Sequence, residues 1–504
     1  MNAHFFSRAF RIRKLLLPIA GSIVFFSVLW IYLKNASFWV DEANVAVNFI
    51  DSRLSDLFAP LLKQQPQFPR FVLCFIWVLR EIFGYSTLIL RLIPLLACAV
   101  ATSFWVILLQ KRAKNSLSST LIAAGLFINA AYFIKYGSQL KSYPSDVMFA
   151  LIPFLLSDEF FNISLERRKR LGSLLLLSIP ILFSYVYPIA LFSRLCGWFF
   201  ARVRIHKKIK LDIYSFSIFL FVLLLSLWIL WAVDLGHHTK QDECHFLFWR
   251  SCALKYRFVD DGIIATFRLL FDFLFGWHAN YPKSLRVCVI LLEVLGVCAV
   301  IKAAWLGKGI GSNWGSRSLG SLFMLATTII LSTVYIYPIC SGRMTLFTQV
   351  HTHLLILEGV VFLAMLTRIP RPVRQAKQWF LLIFGVLIVT FSLKTPISVA
   401  IIEKPISNLK AMIPVIQKDV ANVLYVSICI HQEVDALPEK IPISRIAAVP
   451  ARYEDFPKGV PVYILWSPSD NPCAPEDIEV IKMRAKSWRP VYLEPHRELS
   501  VAIF

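Results

Sequence analysis

Asp41 and Glu42 stand side by side soon after a long apolar run, in the stretch SFWVDEANVAVNFI, with Trp39 just ahead of them. Adjacent carboxylates at such a place have two readings. One is a solvated helix N-terminus, where acids favour the helix dipole. The other is a general base at a membrane surface, taking a proton from an acceptor hydroxyl or amine. Further along, Gln349 and His353 are spaced i, i+4 and share one face of a helix, with His351 on another. Such a histidine either lines a polar cavity or is satisfied by a neighbouring helix. His237, His238, Asp242, Glu243 and His245 cluster in one stretch, but their spacing matches no established zinc site. Glu293 and Glu358 fall inside apolar runs, where a carboxylate is costly unless it is paired or faces a cavity.

The elements that must position these residues are membrane helices. The 504-residue chain is 57% hydrophobic and only 17% charged, and apolar runs long enough to cross a hydrocarbon core recur along it. Crossings are expected near 15–33, 87–109, 117–134, 146–162, 171–187, 188–201, 211–233, 284–305, 318–338, 346–367 and 378–394, about eleven in all. The pair 171–187 and 188–201 reads as a tight hairpin turning at Tyr185–Pro188, and 262–282 as re-entrant or interfacial. The net charge of +22 does not point to nucleic acid. Its cations sit in short clusters between apolar segments, as the positive-inside rule requires of cytoplasmic loops. Those clusters are Arg8–Lys14, Lys111–Lys114, Arg167–Arg170, Arg202–Lys210, Lys302–Arg317 and Arg368–Lys377. With this helix count all of them fall on one side, so the N-terminus is expected in the cytoplasm. The first helix is too long for a signal-peptide core and reads as an uncleaved anchor. Outer loops are then expected at 34–86, 135–145, 234–283 and 339–345.

From residue 395 onward the pattern changes. Apolar runs shorten to strand length at 421–430 and 461–467, with a helical stretch at 474–488 between proline-rich turns. The expected architecture is an α-helical polytopic membrane domain over 1–394 and a small extracytoplasmic α/β domain over 395–504. Cys244 with Cys252, and Cys429 with Cys473, are candidate disulfides in an oxidising compartment.

Three outer segments together resemble the GT-C glycosyltransferases that use polyprenyl-phosphate sugars, in particular a bacterial branch like the protein mannosyltransferases and aminoarabinose transferases. The first is Asp41-Glu42 after helix one, followed by Gln65-Pro66-Gln67-Phe68-Pro69, Phe83-Gly84 and Arg91. The second is KYGSQLKSYPSDVMFALIPFLL, in which Tyr136, Lys141, Tyr143 and Asp146 fall in place and Gln139 stands where relatives carry glutamate. The third is YIYPICSGRMTLFTQVHTHLLIL, where Arg343 takes the arginine position and Met344 replaces an aromatic.

That resemblance implies an enzyme. A sugar would pass from a polyprenyl-phosphate donor to a lipid, glycan or protein acceptor on the extracytoplasmic face of a bacterial inner (plasma) membrane. Asp41, with Glu42 beside it, would serve as base in an inverting displacement. Arg343, Lys141 and Arg91 would hold the phosphate, since cations stabilise it as leaving group and a guanidinium binds it bidentately. Each of the three, Arg91 above all, reads also as a snorkelling or headgroup cation. Tyr136, Tyr143, Asp146, Gln349 and His353 would complete the substrate surface. No cofactor is implied; a divalent metal stays open, and the glutamine at 139 speaks against it. The competing class is a non-enzymatic transporter or flippase for lipid or polysaccharide. That class favours internal repeats and charges deep in the bundle, and the chain has no repeat. A polysaccharide polymerase or ligase would carry paired arginines in a large outer loop instead of an Asp-Glu after helix one.

Overall fold

The computed structural model describes residues 3–34, 36–38, 40–50, 52–58, 68–113, 116–158, 172, 176–206, 213–233, 253–306, 313–333, 339, 345–365, 371–402, 412, 414, 416, 423–426, 445–448, 461–466, 482–494 and 497–503; at some of these, Asp41 among them, only the backbone is described. The helices are α1 (Ala3–Leu33), α2 (Val40–Ala46), α3 (Arg70–Phe83), α4 (Thr87–Ala113), α5 (Leu117–Ile128), α6 (Ala131–Tyr136), α7 (Tyr143–Leu155) and α8 (Tyr187–His206). They continue as α9 (Ile213–Val233), α10 (Leu254–Phe275), α11 (Lys283–Leu306), α12 (Asn313–Thr333), α13 (Thr348–Met365), α14 (Arg371–Ser392) and α15 (Lys394–Ile397). Among the described residues five segments are long and apolar enough to cross a membrane: 13–33, 87–113, 283–306, 348–365 and 372–400. Shorter apolar helices at 117–128, 143–155 and 220–229 accompany them. The chain is a multi-pass membrane protein.

Side-chain periodicity explains how the helices pack. On α4, Arg91, Leu95, Cys98, Thr102, Trp105 and Leu109 are all buried and recur at alternating steps of four and three, one continuous face. That helix packs on α1 and α7. On α1 Leu17, Ala20, Gly21, Val24 and Val28 are buried, while Ile19, Phe26, Trp30 and Leu33 stay exposed, as a lipid-facing side requires. The closest crossings are made by glycine, whose missing Cβ lets backbones touch. A Cβ at Gly296 of α11 would collide with the Leu355 carbonyl of α13, and one at Gly359 of α13 with the Leu292 carbonyl of α11. Gly197 of α8 meets Gly320 of α12 in the same way, and Gly125 of α5 lies against Ile388 of α14.

The expected crossing at 117–134 is a broken helix. Ser116 caps α5, accepting from the Ser119 amide at 3.3 Å. The helix runs only 12 residues and stops at Asn129, with α6 following after Ala130. A break within a bundle frees polar groups that need partners. The Tyr281 hydroxyl donates to the Gly125 carbonyl at 3.4 Å and meets Ser392 Oγ at 3.0 Å, while Thr395 Oγ1 donates to Asn129 Oδ1 at 2.7 Å. The segment after α10 therefore folds back into the bundle. Helix α10 itself turns at Gly262, whose φ of +80° suits only glycine. Its Ile263, Ile264 and Phe267 are exposed, while Phe273 is buried against the bundle. The turn expected at Tyr185–Pro188 falls at Ser184–Val186, between a 3-10 turn at Ile179–Phe183 and α8.

The C-terminal part carries a five-stranded sheet in the order β2-β1-β3-β5-β4. The strands are β1 (Val423–Val426), β2 (Arg445–Ala448), β3 (Pro461–Trp466), β4 (Ser487–Glu494) and β5 (Arg497–Ile503). β1 pairs in parallel with β2 and β3, and β5 runs antiparallel to both β3 and β4. Two expected strands are β1 and β3. The helix expected at 474–488 gives way to β4 at Ser487, because Trp488 and the following residues pair with β5 across a hairpin that local pattern alone does not reveal. Residues 467–481 and the candidate disulfide cysteines lie outside the described residues.

Candidate functional site

Glu42 is the hinge pin of the segment that follows α1. It is buried on α2, and Arg91 on α4 grips both its oxygens: Nε donates to Oε1 at 2.8 Å and Nη2 to Oε2 at 2.6 Å. The same Oε1 accepts from the backbone amide of Leu140 at 2.6 Å. Arg91 spends its remaining capacity on the Ala36 carbonyl at 2.7 Å and the Ser37 carbonyl at 3.1 Å, with the Phe38 ring 5.0 Å from its guanidinium. Four pieces of chain separated by up to a hundred residues are thus joined at one carboxylate: 36–38, α2, α4 and the 137–142 turn. Charge-assisted, bidentate bonds of this kind are the strong ones. The helix carrying Asp41 and the turn carrying Gln139 and Lys141 are held against each other by this knot. The Asp41 backbone lies in α2; its side chain, and all of Arg343, lie outside the described residues.

The 137–142 turn folds on itself, with the Gln139 amide donating to the Tyr136 carbonyl at 3.2 Å and the Lys141 amide to the Gln139 carbonyl at 2.7 Å. Gln139 is buried and Lys141 half-buried. On either side stand the two tyrosines, rings edge-to-face at 6.0 Å. Tyr136 is also parallel to Tyr132, one turn back on α6, at 6.2 Å, and Tyr132 meets Trp277 edge-on at 5.9 Å. Sequence reading did not single out Tyr132 or Trp277; the i, i+4 spacing of Tyr132 and Tyr136 was the available signal.

Asp146 opens α7, where an acid suits the helix dipole and Pro144 sits in the first turn. It is buried, and accepts from Ser184 Oγ at 2.6 Å and Ser142 Oγ at 3.0 Å. Ser184 in turn accepts from the Val186 and Tyr187 amides at 3.2 Å each, which caps α8. Asp146 therefore ties the tyrosine-bearing segment to the start of α8. Nearby, the Tyr85 phenol reaches the Ala46 carbonyl at 3.4 Å, and burial pushes its pKa up against the opposing pull of Arg80. Arg70, buried at the start of α3, is a further cation in this loop that sequence reading passed over although it follows the Gln/Pro cluster directly.

Gln349 and His353 lie elsewhere, enclosed within the bundle on α13, with the His353 ring 5.3 Å from that of Trp105. The two carboxylates inside helices are both paired. Glu293 meets His278 Nε2 at 3.2 Å, and Glu358 takes Arg112 bidentately at 2.7 and 2.6 Å along with the Ser318 hydroxyl. Close to Glu358, Asp158 holds Arg194 and Ser316. Arg91 and Arg112 mark the two ends of α4, about 30 Å apart by the rise of a helix, close to the thickness of a hydrocarbon core. Among the described residues no group of three His, Cys, Asp or Glu side chains is placed to hold a metal ion. The 237–245 cluster lies outside the described residues.

No protein-family model matches the chain, and a search of curated proteins returns no match. Solved structures do align with it. ArnT from Cupriavidus metallidurans bound to undecaprenyl phosphate aligns over 97% of both chains at 12% identity with a TM-score of 0.48. The same protein in the apo state aligns over 97% of both at 11% identity and a TM-score of 0.46. Both alignments run along nearly the whole length of the chain.

Proposed function

We propose that this chain is a membrane-embedded glycosyltransferase of GT-C type, moving a sugar from a polyprenyl-phosphate carrier to a lipid, glycan or protein acceptor on the extracytoplasmic face. The observation that carries the reading is the knot at Glu42. It brings the helix with Asp41 and the turn with Lys141 to one place at the end of α4, a carboxylate-bearing element beside a cation-bearing one. In the proposed step, a lone pair of the acceptor attacks the anomeric carbon while the bond from that carbon to the phosphate oxygen breaks. The polyprenyl phosphate leaves with the bonding electrons, and the acceptor's proton passes to the Asp41 carboxylate. Displacement from the opposite side inverts the anomeric centre. Lys141 and Arg343 hold the phosphate and stabilise its growing charge. Glu42 and Arg91, spent on one another, position these groups. Asp146 positions Tyr143 and Tyr136, which with Tyr132 offer ring faces to the sugar. Gln349 and His353 are set in the interior behind them. No cofactor takes part in this reading.

Purified protein in nanodiscs, given a panel of radiolabelled polyprenyl-phosphate sugars, tests it. Donor consumption by the wild type, lost in Asp41→Asn and in Arg343→Ala, is the expected result. Transfer by Asp41→Asn at the wild-type rate overturns the mechanism. Movement of labelled lipid between leaflets without any consumption would establish the transporter class instead.

A further inference from the structure

Helix α13 is polar on more than one face in the part the bundle encloses. Thr348, Gln349, His351, Thr352 and His353 are all fully or almost fully buried. In a protein surrounded by hydrocarbon, a buried donor or acceptor without a partner costs about 1–3 kcal/mol, and no outside water can relieve it. Yet Gln349 Oε1 and His353 Nδ1 meet no partner among the described residues, nor does the indole Nε1 of Trp105, whose ring lies 5.3 Å from that of His353. The Trp277 indole, in the same packed core and adjacent to His278, is in the same position. Gln349 and His353 lie one turn apart on one face of α13, so their unpartnered atoms make a short column along it, with the Trp105 ring against the His353 end. Beside Trp277, His278 Nε2 meets Glu293 at 3.2 Å.

We infer that ordered water occupies this column, bridging Gln349, His353 and the Trp105 indole. The chemistry of the atoms selects the guest. An indole nitrogen only donates, an amide oxygen only accepts, and an imidazole nitrogen does either according to tautomer. Rigid rings on different helices do not swing to satisfy one another, whereas a water molecule donates and accepts at once and buried waters typically make about three such bonds.

Hydroxyl-radical footprinting by X-ray radiolysis in nanodiscs, read by mass spectrometry, tests this without any transfer assay. Radicals form from water at the site, so labelling reports bound water and not exposure. Trp105, fully buried, is expected to oxidise several-fold faster than the lipid-facing Trp228 and Trp231, which are 60% and 58% exposed in the protein alone. Replacing Gln349→Leu together with His353→Leu should abolish the Trp105 signal. Trp105 labelling at the level of Trp228, under a dose that modifies Tyr132, overturns the inference, as does full labelling in a folded double variant. Should that variant fail to fold, the wild-type comparison between Trp105 and Trp228 decides alone.

Discussion

At the scale of single residues, two neighbours with the same charge have different work. Asp41 and Glu42 look alike in sequence, but Glu42 is sealed by an arginine and a backbone amide, which leaves the proposed proton transfer to Asp41. The consequence separates in two measurements. Asp41→Asn should lower donor consumption by about 10²–10⁴-fold, the usual worth of a general base, with the thermal unfolding midpoint unchanged. Glu42→Ala strands the buried Arg91 and should cost about 3–5 kcal/mol, visible as a lowered unfolding midpoint in detergent. A Glu42→Leu, Arg91→Met pair should recover much of that stability but not the activity, because the 137–142 turn loses its anchor. Equal losses of stability in the Asp41 and Glu42 variants would contradict this division.

At the scale of elements, the bundle is assembled through close helix crossings and through breaks that serve as joints. The crossing of α11 and α13 has glycine on both sides, each carbonyl lying where a Cβ would go. Gly296→Val or Gly359→Val should therefore drive these helices apart. Since even modest overpacking costs about 1–3 kcal/mol, and backbone yields less than side chains, the expected outcome is loss of the monodisperse peak in detergent chromatography. The broken helix at Asn129 is milder. Tyr281→Phe removes one hydroxyl that bridges Gly125 and Ser392. It should loosen the link between the segment after α10 and α5, read as faster backbone hydrogen exchange around 276–282 with the fold intact.

At the scale of the whole molecule, two ion pairs, one buried and one half-buried, lie at opposite ends of α4. Glu42 with Arg91 occupies one, and Glu358 with Arg112 the other. Their separation is about one hydrocarbon thickness, and by the positive-inside rule the charge clusters of the loops would put the Arg112 end in the cytoplasm. A C-terminal fusion to alkaline phosphatase should then be active in a bacterial host, and a cysteine at Lys114 should be protected from an impermeant maleimide added to intact cells. Labelling of Lys114→Cys from outside would reverse the sidedness and remove the proposed site from the extracytoplasmic face.

The sequence alone determined that this is a helical membrane protein with a small sheet-bearing tail, because apolar length and loop charge are local properties that the bilayer reads directly. Strands β1 and β3 were legible for the same reason, as short apolar runs. It also brought Asp41, Glu42, Lys141 and Arg91 forward as candidates, through type and order. What only the tertiary structure decided is which of them are spent on each other. That Arg91 grips Glu42, that Leu140 donates to the same oxygen, that Glu293 lies against His278, and that β4 replaces a helical turn at Ser487 are all contacts between distant parts of the chain. Local pattern is silent about those, because a side chain's partner is set by how helices cross and where they break.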